Sequence, residues 1–340
     1  MIDIHVHLSG SMRPETIVEY AKEEGVPLPT YNAKELESFL RAPDKCIERS
    51  EYYDLCDLTD WVLQDRRSVR RTVCELVKDL DAQGILYAEI RFSPSQCTVR
   101  GMRQEHAVEA AVEGLQRGIR ESRHIKANLI LTVHPAMDER ETFETIVEAE
   151  KYLGRGVCGL DILIDEQLYE TEVYDWMFKL IKDENIPFTV HAGEYGVKSI
   201  AKAIAYGARR ISQSVKLLED KQLMEVFKEK HIVLEMCPMT AIKLDVVPAY
   251  TKHPIRRLYD EGILVCVGSD HQRVSGSTLM QEYRRLEKYL GFSREDVYQM
   301  NLNAIEGAFI SEVEKEDLRK ALSMEFGLEK TPDSEEKLKI

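Results

Sequence analysis

The chain has 340 residues and a formal charge of -14, with 44% hydrophobic and 31% charged residues. That balance is ordinary for a globular protein with a sizeable core, and the acidic surplus argues against nucleic acid as the main partner, because phosphate contacts need a basic face. No apolar run approaches a membrane span, no N-terminal signal fits before a strand that begins at Ile2, and the seven scattered cysteines form no Cys-x-x-Cys pair, which together predict a cytoplasmic protein with reduced thiols.

The first element is a strand. In Ile2, Asp3, Ile4, His5, Val6, His7 and Leu8, apolar residues alternate with Asp3, His5 and His7. Period two sends both imidazoles to one face, about 7 Å apart by strand rise. Short β-branched runs recur over 84–92, 127–134, 157–165, 186–194, 208–215, 232–238 and 263–270. With the first, that is about eight candidate strands, the number a closed (β/α)8 barrel requires. Stretches of helical period separate them, over 105–122, 139–153, 172–183 and 220–230. Strand then helix, repeated, implies a parallel sheet. An open doubly wound sheet is the alternative architecture.

Between the first two strands the segment 14–83 is far longer than one crossover. It reads as several helices, including 14–24 and 69–82, with loops near Pro27 to Pro29 and at Pro43. In a barrel this insertion leaves from the face that carries active sites. Helices are expected after the eighth strand over 277–290, 301–309 and 312–325. The expected organisation is a single domain over 1–326, followed by a charged, poorly ordered tail over 327–340.

The polar residues that suggest chemistry sit at strand C-termini, where parallel barrels place their sites. His5 and His7 lie on the first strand, His191 and Glu194 close the fifth, and Asp270 closes the eighth. Strands one and eight are neighbours in a closed barrel, so Asp270 approaches the two histidines. Three imidazoles and one carboxylate suit Zn²⁺, and an open position on such an ion lowers the pKa of a water toward neutral. Glu194, three residues past a ligand, then serves as acid or base. Taken singly, each of these residues reads as structural, as His134 and His253 do; their joint placement carries the argument.

Several stretches resemble the adenosine deaminase family. They are His5-Val6-His7-Leu8-Ser9-Gly10 with Arg13-Pro14-Glu15-Thr16, Arg91-Phe92-Ser93-Pro94, Thr189-Val190-His191-Ala192-Gly193-Glu194, Glu235-Met236-Cys237-Pro238 and Gly268-Ser269-Asp270. The match runs in order over nearly the whole chain. It implies a metal-dependent hydrolase barrel, one zinc or another divalent metal per chain, and hydrolytic release of ammonia from an aminopurine. By motif match, His5, His7, His191 and Asp270 are the metal ligands and Glu194 protonates the purine ring nitrogen, with Gly193 beside it among the substrate contacts. The implied partner is a small aminopurine; no nucleic acid, membrane or particular oligomer is implied. The His-x-Glu and Pro-Cys-x-x-Cys zinc site of the other deaminase class is absent.

The chain departs from the family pattern around the substrate. Ser212-Gln213-Ser214 stands where the family has Gly-His-Gly, and a glutamine cannot take up a proton. His271 stands where a second aspartate contacts the purine, Ser9 where an aspartate contacts the ribose, and Ile164 where a glycine lies against the base. Three readings follow: a member that keeps metal without activity, a changed substrate, or transfer of the proton role from Gln213 to His271. The best expectation is a zinc-dependent deaminase of adenosine or a related aminopurine. The alternatives are a metal-dependent hydrolase of another amino-heterocycle and a silent metal-binding member. In a regular strand, the His271 side chain alternates away from Asp270.

Overall fold

The computed structural model describes residues 1–134, 137–164, 166 and 174–328. The expected tail beyond residue 328, the last residue of the fourth expected strand and the first two of the helix expected over 172–183 therefore lie outside the described residues. Eight parallel strands run in the order β1 (Ile2–His7), β2 (Tyr87–Phe92), β3 (Lys126–Val133), β4 (Val157–Leu163), β5 (Phe188–His191), β6 (Arg210–Ser212), β7 (Val233–Met236) and β8 (Leu264–Val267). A parallel bridge between Val6 and Asp270 links the end of β8 to β1. There the His7 N–H donates to the Asp270 carbonyl at 3.0 Å and the Asp270 N–H to the His5 carbonyl at 2.8 Å. This is the expected (β/α)8 barrel. Several strands are shorter than their apolar runs, β6 most of all, because residues past each strand end turn into loops above the sheet.

Period two in β1 is a division of labour. Ile2 and Ile4 pack outward with Ala304, Ile305 and Leu322 of the C-terminal helices, while Asp3 and His5 are fully buried on the other face. β2 repeats the pattern, with Ala88, Ile90 and Phe92 in the main apolar core and Glu89 and Arg91 buried between them. Strands of a parallel barrel are covered on both faces; here one of those faces is charged.

The insertion holds four helices among the described residues: α1 (Pro14–Glu24), α2 (Ala33–Leu40), α3 (Ser50–Asp60) and α4 (Arg66–Ala82). α1 begins on Pro14 and stops at Gly25 in the left-handed conformation, as expected of those residues. Asp65 caps α4 through the Ser68 N–H. α3 carries no helix signal as plain as these, yet it packs over the strand ends. The Gly10 N–H donates to Thr59 at 3.1 Å, and the Tyr52 hydroxyl lies 3.2 Å from that of Thr240. These contacts hold α3 across the C-terminal mouth of the barrel. After β8 come helices Leu279–Leu290, Arg294–Gly307 and Glu312–Glu325; the first and third lie close to expectation, whereas the second starts well before residue 301, where Ser293 caps it through the Asp296 N–H. The seven cysteines are buried and unbridged. No helix among the described residues is long and apolar enough to cross a membrane.

Candidate active site

The strand ends and α3 enclose a cavity of about 470 Å³, a size that suits a small-molecule ligand. Its floor is built from the barrel interior. Arg91 reaches from β2 to Asp161 of β4 at 2.9 Å, to His191 Nε2 at 2.8 Å and to Glu235 of β7. Arg210 of β6 pairs with Glu235 at 2.5 Å and with Glu89. All five charged residues are completely buried. Burial disfavours the Asp161 carboxylate, but Arg91, His191 and His5 together outweigh it and hold the group down at about 2. Glu235 is likewise held well below the usual range, with Arg210 and Arg91 overcoming its burial.

This floor orients the histidines. His5 Nδ1 bonds Glu235 at 2.7 Å, which turns Nε2 toward Asp270, 3.8 Å from its Oδ1. His7 Nε2 lies 3.5 Å from the same oxygen. Both Nε2 atoms are buried without a hydrogen-bond partner. Burial pushes the His5 imidazole down to about 4 and that of His7 lower than usual as well, so both are neutral near pH 7 and offer lone pairs. His191 packs against them, with ring centroids 5.1 Å and 6.1 Å away. Asp270 keeps its charge: burial opposes it, but His271, His5 and a hydrogen bond with Thr240 hold its carboxyl low. Two neutral imidazoles with orphaned buried nitrogens, a third imidazole and an ionised carboxylate fit a divalent cation. His5, His7 and His191 form one group with ligand atoms close enough to share an ion, His7, Asp270 and His271 another, and His5, Cys237 and Asp270 a third. His191 differs from the other two, since its Nε2 faces Arg91 and Asp161.

His271 reaches the cavity because the backbone leaves regular strand geometry just before it. Asp270 adopts a φ of 55°, the left-handed region that a non-glycine residue seldom takes. This breaks the strand alternation, so Asp270 and His271 both line the cavity. His271 Nδ1 donates to the Ser9 carbonyl at 2.6 Å. That bond fixes the tautomer and leaves Nε2 as an acceptor, 3.5 Å from Asp270. The ring stacks on His7 with centroids 4.3 Å apart. Gly10 makes room for it: a Cβ there would lie 2.7 Å from the His271 Cβ.

Of the other expected residues, Ser9, Ile164, Glu194 and Gln213 line the cavity, whereas Gly193 is not among the lining residues. The Gly193 N–H is engaged by Ser199 at 3.0 Å and by Glu166. Gln213 is also left-handed, with a φ of 62°, and its Oε1 is buried without a partner. Three residues escaped sequence reasoning. Glu235 orients His5. Glu166 accepts the N–H groups of Gly193, Glu194 and Tyr195 and so positions the Glu194 loop. Arg49 pairs with Glu194 at 2.7 Å and also donates to Tyr195 and Tyr53. The signal for Arg49 lay in spacing alone. Arg49, Tyr52, Tyr53, Cys56, Asp57 and Asp60 all line the cavity, and their steps of three and four residues mark one helical face.

A parallel barrel with imidazoles, a carboxylate and a glutamate at its C-terminal mouth has the layout of an enzyme site built at strand ends. The adenosine deaminase family model matches residues 1–324, and the chain belongs to that family; it is a hydrolytic deaminase. An adenosine deaminase from Haemophilus ducreyi is 36% identical over 323 residues, covering 94% of each chain. Two solved structures share the fold at 22% identity. An adenine deaminase from Arthrobacter aurescens has a TM-score of 0.85 and matches 95% of this chain and 98% of its own. An amidohydrolase from Burkhoderia ambifaria with bound zinc has a TM-score of 0.87 and matches 96% and 90%.

Proposed function

We propose that this chain is a zinc-dependent deaminase of an aminopurine nucleoside or base, in which His271 has taken the proton role that Gln213 cannot perform. The observation that carries the reading is the pair of orphaned nitrogens, His5 Nε2 and His7 Nε2, buried against an ionised Asp270. His5, His7, His191 and Asp270 would hold the cation. The zinc in the Burkhoderia ambifaria structure supports that choice of metal, and the Haemophilus ducreyi and Arthrobacter aurescens enzymes support adenosine and adenine as first candidates. When bound, such an ion supplies a water activated for attack at neutral pH.

The chain's own groups do the rest. His271 Nε2, free to accept because Nδ1 is spent on Ser9, takes a proton from the attacking water and returns it to the departing amino group. Glu194 delivers a proton to the ring nitrogen beside the attacked carbon, which makes that carbon electrophilic. Glu194 is paired with Arg49 in this structure, so before it can act it must leave that pair and take up a proton, which it regains when the new hydroxyl on the ring becomes a carbonyl. The unpartnered Gln213 Oε1 accepts an N–H from the substrate. Ile164 places a side chain against the base and narrows that wall.

The test is metal analysis of the purified protein together with an ultraviolet assay on adenosine, adenine and 5′-modified adenosines. The expected result is about one zinc per chain and turnover of at least one compound. Zinc without turnover on any of them favours a silent member, and absence of metal removes the site assignment.

A further inference from the structure

The cavity face of α3 changes character along its length. At its start Arg49 faces Glu194. At its end Asp57 and Asp60, one turn apart, both line the cavity. Asp60 is 8% exposed, and its Oδ2 is buried without a hydrogen-bond partner. A buried carboxyl is costly to leave unpartnered, so this one awaits a donor that the fold does not supply. Burial, and then the neighbouring Asp57, push the Asp60 carboxyl well above the usual carboxylate range; burial raises Asp57 too. Thr59, between the two, accepts the Gly10 N–H and pins this end of α3 beside Ser9. That is the position at which the chain lacks the aspartate that the resemblance leads one to expect on a sugar.

We propose that Asp57 and Asp60 form a subsite for a hydroxylated, uncharged substituent of the heterocycle, accepting the hydrogen bonds that Ser9 does not, and that the same pair disfavours a phosphorylated substituent. The inference rests on the aminopurine reading of the cavity. Sugar hydroxyls donate readily to carboxyl oxygens, whereas a phosphate placed beside Asp57 and Asp60 gains no cationic partner at this end of α3 and meets like charge whenever either carboxyl is ionised. Neither guanidinium that lines the cavity is placed to receive a phosphate beside Asp57 and Asp60. Arg91 is spent on Asp161, Glu235 and His191, and Arg49 stands at the opposite end of α3, roughly 16 Å away by helix rise. The insertion thus selects what the ring carries, while the barrel acts on the ring.

Titration calorimetry of the full metal-loaded chain with inosine, hypoxanthine and inosine 5′-monophosphate reads this subsite without turnover. Inosine is expected to bind about tenfold or more tighter than either of the others. Asp60→Asn keeps the shape but replaces an accepting carboxyl oxygen with a donating NH2 group. It is expected to cut the preference for inosine over hypoxanthine by about tenfold. Asp57→Asn, at a half-buried position where folding is less at risk, is expected to cut it in the same direction. The double variant is expected to narrow the gap to the monophosphate. Equal binding of inosine and hypoxanthine by the unmodified protein overturns the proposal, as does preference for the monophosphate, or a preference that survives in both single variants. The deaminase reading fails separately: no turnover of adenosine or adenine, with inosine discrimination intact and lost in the variants, removes the activity and supports the subsite.

Discussion

The floor and the α3 wall of the cavity are both charged, and they use charge in opposite ways. On the floor, Arg91 and Arg210 are completely buried and each is paired with carboxylates that are just as buried, although the Arg91 Nε has no hydrogen-bond partner. On the wall, Arg49 and Glu194 are part-exposed, with side chains 31% and 13% accessible, and Asp60 has a carboxyl oxygen with no partner. A closed set of buried pairs resists change, because removing one member strands the other. An open set can exchange its internal partners for a ligand. The floor fixes where His5 and His191 point, and the wall is left to be answered by what enters.

The sharpest way to break this contrast is Arg91→Met. It strands Asp161 and Glu235 and is expected to destabilise the fold by about 3–5 kcal/mol, measured by urea denaturation. A small loss would mean that the floor is as adaptable as the wall. Next in size is His271→Ala, expected to lower kcat about 100-fold or more with metal content retained; an unchanged rate removes His271 from the proton path. Gln213→His in that background is expected to restore part of the rate.

Asp60→Asn tests the wall through pH. The folded pKa of Asp60 is raised above its unfolded value, so its neutral form supports the fold at acid pH, and that support is lost as pH climbs from about 4 through the raised value. Relative to Asp60→Asn, the unmodified protein should therefore lose stability with rising pH, by at most about 1.4 kcal/mol per pH unit. Parallel melting curves across pH check this. Arg49→Met carries the smallest expected effect. A part-exposed pair contributes about 0.2–1 kcal/mol, so freeing Glu194 should lower KM by up to about fivefold, read from steady-state kinetics.

The parts legible in the sequence are those governed by period and order. Alternation in Ile2 to Leu8 put His5 and His7 on one face, and eight apolar runs in series implied a barrel that brings Asp270 to them. The helix ends at Pro14 and Gly25 follow from those two residues alone. The residues that escaped act through partners distant in sequence. Glu235 matters because Arg91, Arg210 and His5 converge on it, and Glu166 because three backbone N–H groups of another loop point at it. The α3 face escaped for a different reason: a stripe of tyrosines and a cysteine has the spacing of any core-facing helix. His271 was legible as a candidate from its place beside Asp270, but strand alternation alone would turn it away, and nothing local announces the positive φ at Asp270 that brings both side chains to the cavity.

Asp270 also closes the barrel. Its N–H and carbonyl form the rungs to His5 and His7, so the residue that completes the candidate metal site is the fastener between the last strand and the first. Loading and fold closure then share one joint. Slowed amide hydrogen exchange at His7 and Asp270 on adding zinc would report occupancy directly, before any substrate is known.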